Sequence, residues 1–162
     1  MDTLNDLARD IFQQAGDLHS EGTAWGGLGL RLAEVRRFDE AIDAHTRDLE
    51  ICRQTGDLHG EGQALGHLGG ALAKVRRFDE AIDADTRARD IFQQAGDLHR
   101  EGRAWGNLGL TLTEVHRFDE ARTSWQRSAT AFIRADDTRN ADIVSGSLDA
   151  TIAPRWRRFY FR

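Results

Sequence analysis

A sequence repeat with a period of forty residues extends through most of this 162-residue chain. Its first copy, at 17–56, is DLHSEGTAWGGLGLRLAEVRRFDEAIDAHTRDLEICRQTG, and related copies follow at 57–96 and 97–136. Residues 1–16 match the second half of a copy, and residues 137–153 match a degenerate first half that would cap the array. A period of roughly 20 to 50 residues is typical of stacked supersecondary units that share one core. We therefore expect one domain over residues 1–153, followed by a separate tail at 154–162.

Each copy contains two helical patterns and no strand pattern. In the first pattern, apolar residues recur on one face of a helix, at Trp25, Leu28, Leu32 and Val35. In the second, an apolar stripe extends from about residue 38 to residue 54. Between copies a glycine precedes an aspartate, as in Gly56-Asp57, which favours the end of one helix and the capped start of the next. We therefore expect an all-α stack of antiparallel helix pairs with about eight helices.

The composition excludes several classes of protein. Hydrophobic residues make up 40% of the chain, which is enough for a folded core despite its 16 glycines. The single cysteine, Cys52, cannot form an intramolecular disulfide. No apolar run approaches the roughly 18 to 20 residues of a membrane helix, and the N-terminus is acidic and unlike a signal peptide. We expect a soluble, cytoplasmic protein that does not enter a membrane.

Charge and motifs argue against nucleic-acid binding and against catalysis. The net charge is −5 although the last eight residues, RWRRFYFR, contain four arginines, so the rest of the chain is acidic. The glycine-rich stretches at 26–29 and 66–70 follow no strand pattern and contain no Gly-Lys-Ser/Thr, so they do not predict a phosphate loop. No Ser-His-Asp or Cys-His arrangement has local support. We expect a protein that is not an enzyme and needs no cofactor.

The copies resemble the tetratricopeptide repeat, whose pattern is Trp-x2-Leu-Gly-x2-Tyr followed by Ala-x3-Phe. The matching positions of the first copy are Trp25, Leu28, Gly29, Leu32, Ala41 and His45; those of the second are Leu65, Leu68, Gly69, Leu72, Ala81 and Asp85; those of the third are Trp105, Leu108, Gly109, Leu112, Ala121 and Trp125. The forty-residue period is similar to the long repeats of kinesin light chains, spindle-orientation adaptors and actinobacterial regulators. The resemblance implies a right-handed α-solenoid whose first helices line a concave groove.

Two packing arrangements are expected from this pattern. The Leu-Gly glycines, Gly29, Gly69 and Gly109, should face the alanines of the second helix, Ala41, Ala81 and Ala121. Trp25 and Trp105 should fill the space between helix pairs. The turn within each pair contains Arg36-Arg37 or its equivalents, which supply neither a glycine nor an N-capping side chain.

A candidate binding stripe lies beside the core face of the first helices. It consists of Thr23, Leu30 and Glu34, then Gln63, His67 and Lys74, then Arg103, Asn107, Leu110 and Glu114. These positions differ between copies while their neighbours are kept, and their mixture of leucines, charges and amides is suited to an extended or helical peptide. In the resembling adaptors an asparagine before the Leu-Gly pair holds the peptide backbone, a position matched by Asn107. We therefore expect a protein or peptide partner in the groove.

Other interpretations stay open. The unmatched ends of the solenoid could stack between chains into a dimer or filament. The resemblance also fits a sensor segment of a larger bacterial transcriptional or signalling regulator. A third hypothesis is an enzyme or small-ligand pocket in the groove.

Two local features favour structural roles. His19, His59 and His99 each precede a glutamate by two residues, but copies about 10 Å apart cannot share a metal ion, so we interpret them as capping and solvated groups. The tail RWRRFYFR mixes arginines with aromatics, which could stack on bases or contact an acidic partner. We favour aromatics that cover the end of the stack while the arginines face water.

Overall fold

The computed structural model describes the backbone of residues 16–152 and the side chains of residues 16–148. This part of the chain forms seven helices and no strand: α1 (Leu18–Glu34), α2 (Phe38–Thr55), α3 (Leu58–Lys74), α4 (Phe78–Ala95), α5 (Leu98–Glu114), α6 (Phe118–Arg134) and α7 (Thr138–Ile152). The all-α expectation is confirmed. All but the last residue of the half repeat predicted at 1–16, and the whole tail at 154–162, lie outside the described residues.

The helices stack in chain order, each against the one before it and the one after it. Alanines allow the two helices of each pair to approach closely: Ala41, Ala81 and Ala121 have no exposed surface. Leucines of the first helices, such as Leu65 and Leu72, fill the core between them. No helix within residues 16–152 is long and apolar enough to cross a lipid bilayer.

The junctions between pairs follow the predicted Gly-Asp signal. Gly56 adopts φ 71° at the end of α2, and its successor Asp57 accepts a hydrogen bond from the Gly60 amide at 2.8 Å at the start of α3. The Asp57 amide donates back to the Cys52 carbonyl at 2.9 Å, which is the six-to-one bond of a Schellman motif. Asp17 and Asp97 cap α1 and α5 in the same way, with bonds of 3.1 and 3.0 Å.

The turns within pairs have the same backbone geometry without glycine. Arg36 has φ 63°, and Arg76 and His116 have φ 64° and 62°. The amide of Arg37 donates to the Leu32 carbonyl at 2.8 Å, again a Schellman bond. No side chain caps the start of α2, but Arg37 forms a bidentate ion pair with Glu40 across its first turn. The left-handed conformation that glycine prefers is therefore forced on arginine and histidine here.

The structure refines both packing expectations. The side-chain atoms nearest to the Leu-Gly glycines do not belong to the alanines. They belong to the residue four positions later: His45 for Gly29, Asp85 for Gly69 and Trp125 for Gly109. Trp25 and Trp105 are only half-buried.

Hydrogen bonds and a cation–π contact explain why the two tryptophans are only half-buried. The Trp105 indole N–H donates to Glu101 Oε1 at 3.4 Å, and the guanidinium of Arg89 lies 4.6 Å from its ring centroid. Trp25 similarly donates to Glu21 Oε1 at 3.3 Å. These contacts hold the two rings at the edge of the core.

Candidate functional site

In the described part of the chain, two neighbouring grooves between successive first helices each contain a cavity. The first groove has walls formed by α1 and α3 and a floor formed by α2, and it contains a cavity of about 400 Å³. The second groove has walls formed by α3 and α5 and a floor formed by α4, and its cavity measures about 90 Å³. Gln63 and His67 line both cavities, so the grooves are neighbours on one face of the solenoid.

The structure brings together six of the ten predicted binding residues. Thr23 and Leu30 line the first cavity, Arg103 and Asn107 line the second, and Gln63 and His67 line both. Glu34, Lys74, Leu110 and Glu114 line neither cavity and are exposed towards the C-terminal ends of their helices. Leu110 is 58% exposed, which makes it an apolar surface beside the second groove.

A polar ladder that the sequence interpretation did not include lies beneath the stripe. His45 and Asp85 are each 1% exposed, at the position where the family pattern has phenylalanine. Each contacts the stripe residue twenty-two positions later: the rings of His45 and His67 are 5.3 Å apart, and Asn107 Nδ2 donates to Asp85 Oδ1 at 3.3 Å. The groove surface is therefore connected to the core by two polar pairs, His45 with His67 and Asp85 with Asn107.

Burial changes the charge states of this ladder. Burial, helped by nearby His67, lowers the pKa of His45 to about 4, so its ring is neutral at pH 7. Burial raises the pKa of Asp85 to about 8 although the Asn107 hydrogen bond opposes the shift, so this carboxyl group is mostly protonated at pH 7. Among the described residues, His45 Nδ1 and Asp85 Oδ2 have no hydrogen-bond partner. The pKa of His67 is lowered by burial and by Arg103.

The cavities differ in size because of two substitutions between copies. Cys52 occupies the floor position where the later copies have Phe92 and Phe132, whose rings contact Gly62 and Gly102. Gly60 occupies the wall position where the second groove has Arg100. Cys52 and Gly60 lie together, since a Cβ on Gly60 would be 2.7 Å from the Cys52 sulfur. Removing a ring and a long side chain at one place leaves the larger cavity.

Asp48 forms part of the floor of the first groove. The equivalent floor residues are Ala88 and Ser128. The Asp48 carboxylate lies against the backbone of α1, where a Cβ on Gly26 would be 2.7 Å from Oδ2, and it accepts a hydrogen bond from Cys52 Sγ at 3.5 Å. Burial raises the pKa of Asp48 to about 6, the Cys52 bond opposes this shift, and Asp57 adds to it.

Two of the three repeated histidines, His19 and His99, approach the next helix pair. His99 Nε2 lies 3.0 Å from Asp137 Oδ2, and His19 Nδ1 lies 3.9 Å from Asp57 Oδ2, so each approaches the capping aspartate of the following pair. His59 packs edge-on against Phe92. Within the described part of the chain, no group of three His, Cys, Asp or Glu side chains is placed to hold a metal ion.

One feature of the sequence could have identified the buried residues at positions 45, 85 and 125. At positions 45, 85 and 125 the copies have histidine, aspartate and tryptophan, although neighbouring positions such as Ala41 and Ala81 are fixed. A polar residue inside an apolar stripe indicates a buried position whose side chain has a polar partner. The sequence does not reveal which residue that partner is, because it lies on the next helix pair.

Comparisons with known proteins agree with this architecture. The family model of the tetratricopeptide repeat matches residues 20–94 and 60–134. No curated protein matches the sequence. Among solved structures, BtubC (BKLC) from P. vanneervenii is similar with a TM-score of 0.66 and 16% identity, over 85% of this chain and 65% of that one. The MamA protein is similar with a TM-score of 0.54 and 15% identity, over 99% of this chain and 95% of that one.

The chain thus spans slightly less than two thirds of the length of BtubC. At identities of 15 to 16% these likenesses concern the fold, and that fold is the helical solenoid described above. The two overlapping matches of the family model cover residues 20–134, which is most of the sequence. This chain belongs to the tetratricopeptide repeat family.

Proposed function

We propose that this protein binds a peptide segment of a partner protein along the face formed by α1, α3 and α5. Tetratricopeptide repeats are in general protein-interaction modules and non-catalytic scaffolds. The observation that carries the proposal is the pair of adjoining cavities on one face, which share Gln63 and His67 as a common wall. A row of cavities flanked by exposed leucines is suited to alternate side chains of an extended segment.

The binding residues proposed are the ten stripe residues named above. Asn107 has a defined role, since its amide already donates to buried Asp85 and its orientation is therefore fixed. Arg103 is exposed on the wall of the second cavity and forms no ion pair with the described residues, so its charge is available to a ligand. The four residues that line neither cavity would extend the contact surface beyond the grooves.

A selection experiment tests this function. Peptides are selected on the full chain from a random displayed library, and their affinities are measured by fluorescence anisotropy. Arg103→Glu, alone and with Asn107→Ala, should weaken binding by about tenfold or more, because a hydrogen bond to a charged group is lost. Arg47→Glu, on the outer helix α2, is the matched charge-reversal control and should leave the affinity unchanged.

Helicity measured by circular dichroism keeps the test independent of folding. Asn107→Ala also removes the partner of buried Asp85, so the single Arg103→Glu variant on the surface is the decisive one. Wild-type affinity of Arg103→Glu for every selected peptide would refute the groove assignment.

A second candidate function is self-association through α6 and α7. Ile133 on α6 and Ile143 on α7 are 64% and 58% exposed, which is unusual for large apolar side chains on adjacent helices. A second copy packed against these two helices would cover them. Light scattering should then show a dimer or larger species that Ile133→Arg with Ile143→Arg converts to single chains; a wild-type mass of one chain at high concentration would exclude this function.

A further inference from the structure

The two cavities carry opposite charge. The residues lining the first cavity include Asp48, Asp57 and three histidines but no lysine or arginine, and His19 Nδ1 lies 3.9 Å from Asp57 Oδ2. The residues lining the second cavity include Arg100 and Arg103 but no aspartate or glutamate. A segment lying across both grooves therefore meets a negative site and then a positive one.

Asp48 is an anion without a cation among the residues that the structure describes. Its hydrogen bond there comes from the Cys52 thiol, which is a weak donor, at 3.5 Å. The other acid of the cavity, Asp57, uses one carboxylate oxygen to cap α3 through the Gly60 amide. Carboxylates are rarely buried without a charged partner, because burial removes their hydration.

The space above Asp48 fits one long side chain. Three glycines of α1, Gly22, Gly26 and Gly27, line the cavity beside the larger residues of that wall, and Gly60 lies on the opposite wall. These four positions have no side chain to occupy the space. Its volume of about 400 Å³ lies in the range of ligand pockets, roughly 300 to 1,000 Å³. The imidazoles of His45 and His67 beside it are held towards the neutral form, because burial lowers both pKa values.

We propose that the first cavity receives a lysine or arginine side chain of the partner peptide, with Asp48 as its counter-ion. The inference rests on the proposed function and specifies the partner's chemistry. Packed helices lie about 8 to 10 Å apart, and at that spacing the two cavities would be about three residues of extended chain from each other. The partner segment then carries an acidic residue near that spacing, where it pairs with Arg103.

Two variants copy other repeats of the same chain and therefore suit its packing. Asp48→Ala introduces the residue found at position 88, and Cys52→Phe introduces the residue found at positions 92 and 132. The first removes the counter-ion, and the second fills the cavity with a ring between Gly22 and His19. Asp43→Ala removes an exposed carboxylate of the same helix and is the matched control.

The probe is n-butylguanidinium, an analogue of the arginine side chain. Binding is followed through the NMR signals of the Gly22, Gly26, Gly27 and Gly60 amides at pH 7.5 and low salt, conditions that keep Asp48 ionised. We expect saturable shifts that Cys52→Phe abolishes, that Asp48→Ala weakens by about tenfold or more, and that Asp43→Ala leaves unchanged. Shifts that do not saturate, that pentanoate produces equally, or that keep the wild-type affinity in Asp48→Ala would overturn the inference.

Selected peptides separate the two proposals. If Arg103→Glu weakens their binding while Asp48→Ala and replacement of their basic residues by norleucine have no effect, the cation site is wrong and groove binding stands. If neither chain variant changes the affinity, both proposals fail. Loss of affinity in both variants, together with loss on replacing the basic residue, supports both.

Discussion

Asp85 lies directly against Gly69: a methyl group on Gly69 would be 2.6 Å from the Asp85 Oδ1 atom. The glycine of each Leu-Gly pair thus makes room for the buried residue of its own second helix, which is histidine, aspartate or tryptophan in successive copies. The Leu-Gly motif of the first helix therefore packs directly against the second helix, which forms the floor of the groove.

Substitution of this glycine should therefore be costly. Gly69→Ala should lower the free energy of unfolding by about 1 to 3 kcal/mol, because the buried carboxyl group has little space to move. Gly66→Ala, one turn earlier, has nothing within 4 Å of its new methyl group and should raise the free energy of unfolding by up to about 1 kcal/mol through helix propensity. Urea denaturation of both variants checks this, and equal effects would contradict the contact.

Asp85 should make the protein less stable as the pH rises. Its pKa is about 8 in the folded state, against an ordinary value of 3.8 for an aspartate in water, so the folded state retains a proton that the unfolded state has lost. Stability falls as the pH rises through this range and stops falling above the folded pKa. Between pH 6.5 and pH 8 we expect the free energy of unfolding to fall by about 1.5 kcal/mol.

The variant Asp85→Asn separates this effect from other titrations. It cannot lose a proton, so the decrease between pH 6.5 and pH 8 should disappear in urea denaturation curves. His45 acts at lower pH, because its folded pKa of about 4 lies below 6.5 and its stabilising effect is lost as the pH falls through that interval. A decrease that survives in Asp85→Asn would show that another group is responsible.

Glycine should stabilise the turns within helix pairs. Arg36→Gly should raise the free energy of unfolding by about 0.5 to 1 kcal/mol, because glycine adopts φ 63° without strain. The gain is smaller than the strain itself, since glycine loses more conformational entropy on folding than arginine does. Gly56→Ala places a methyl group at φ 71° with no neighbour within 4 Å, so its expected loss of about 1 kcal/mol is backbone strain alone. Thermal unfolding of the two variants should shift in opposite directions; a shift in the same direction would refute this account.

Cys52 should react slowly with alkylating reagents. Burial, then the charge and hydrogen bond of Asp48, raise the pKa of its thiol to about 12, so little thiolate exists at pH 8. We expect iodoacetamide to modify the native protein about ten to a hundred times more slowly than the urea-unfolded chain, measured by mass spectrometry. Asp48→Ala should recover part of that rate, and an unchanged rate in this variant would show that Asp48 has no influence on the thiol.

The features that depend only on neighbouring residues were predictable from the sequence. The capping aspartates and the left-handed glycines each depend on a few adjacent residues, and the structure has them at the expected positions, as at Gly56 and Asp57. The positive φ of Arg36 carries no such signal, because the sequence there shows only two arginines.

The floor of the grooves was not predictable by the same means. Helix periodicity places residue 45 on the apolar face but does not reveal that it meets Gly29 and His67, which depends on how three helices cross. The half-burial of Trp105 has a similar origin, since Arg89, which covers its ring, comes from the preceding pair. The candidate stripe itself followed from helix spacing, and the cavities beneath it required tertiary contacts.

The pairing of His45 with His67 and of Asp85 with Asn107 means that the copies cannot be exchanged for one another. A chain assembled by repeating the block 57–96 would place an aspartate like Asp85 beneath a histidine like His67, and so would replace a neutral amide contact by an acid–base pair in the core. Transplanting a single block into another array would likewise separate His45 from His67. The unit that keeps these buried contacts extends from the second helix of one pair to the first helix of the next. Such a unit can be moved or duplicated as a whole, and it crosses the boundary that the sequence repeat suggests.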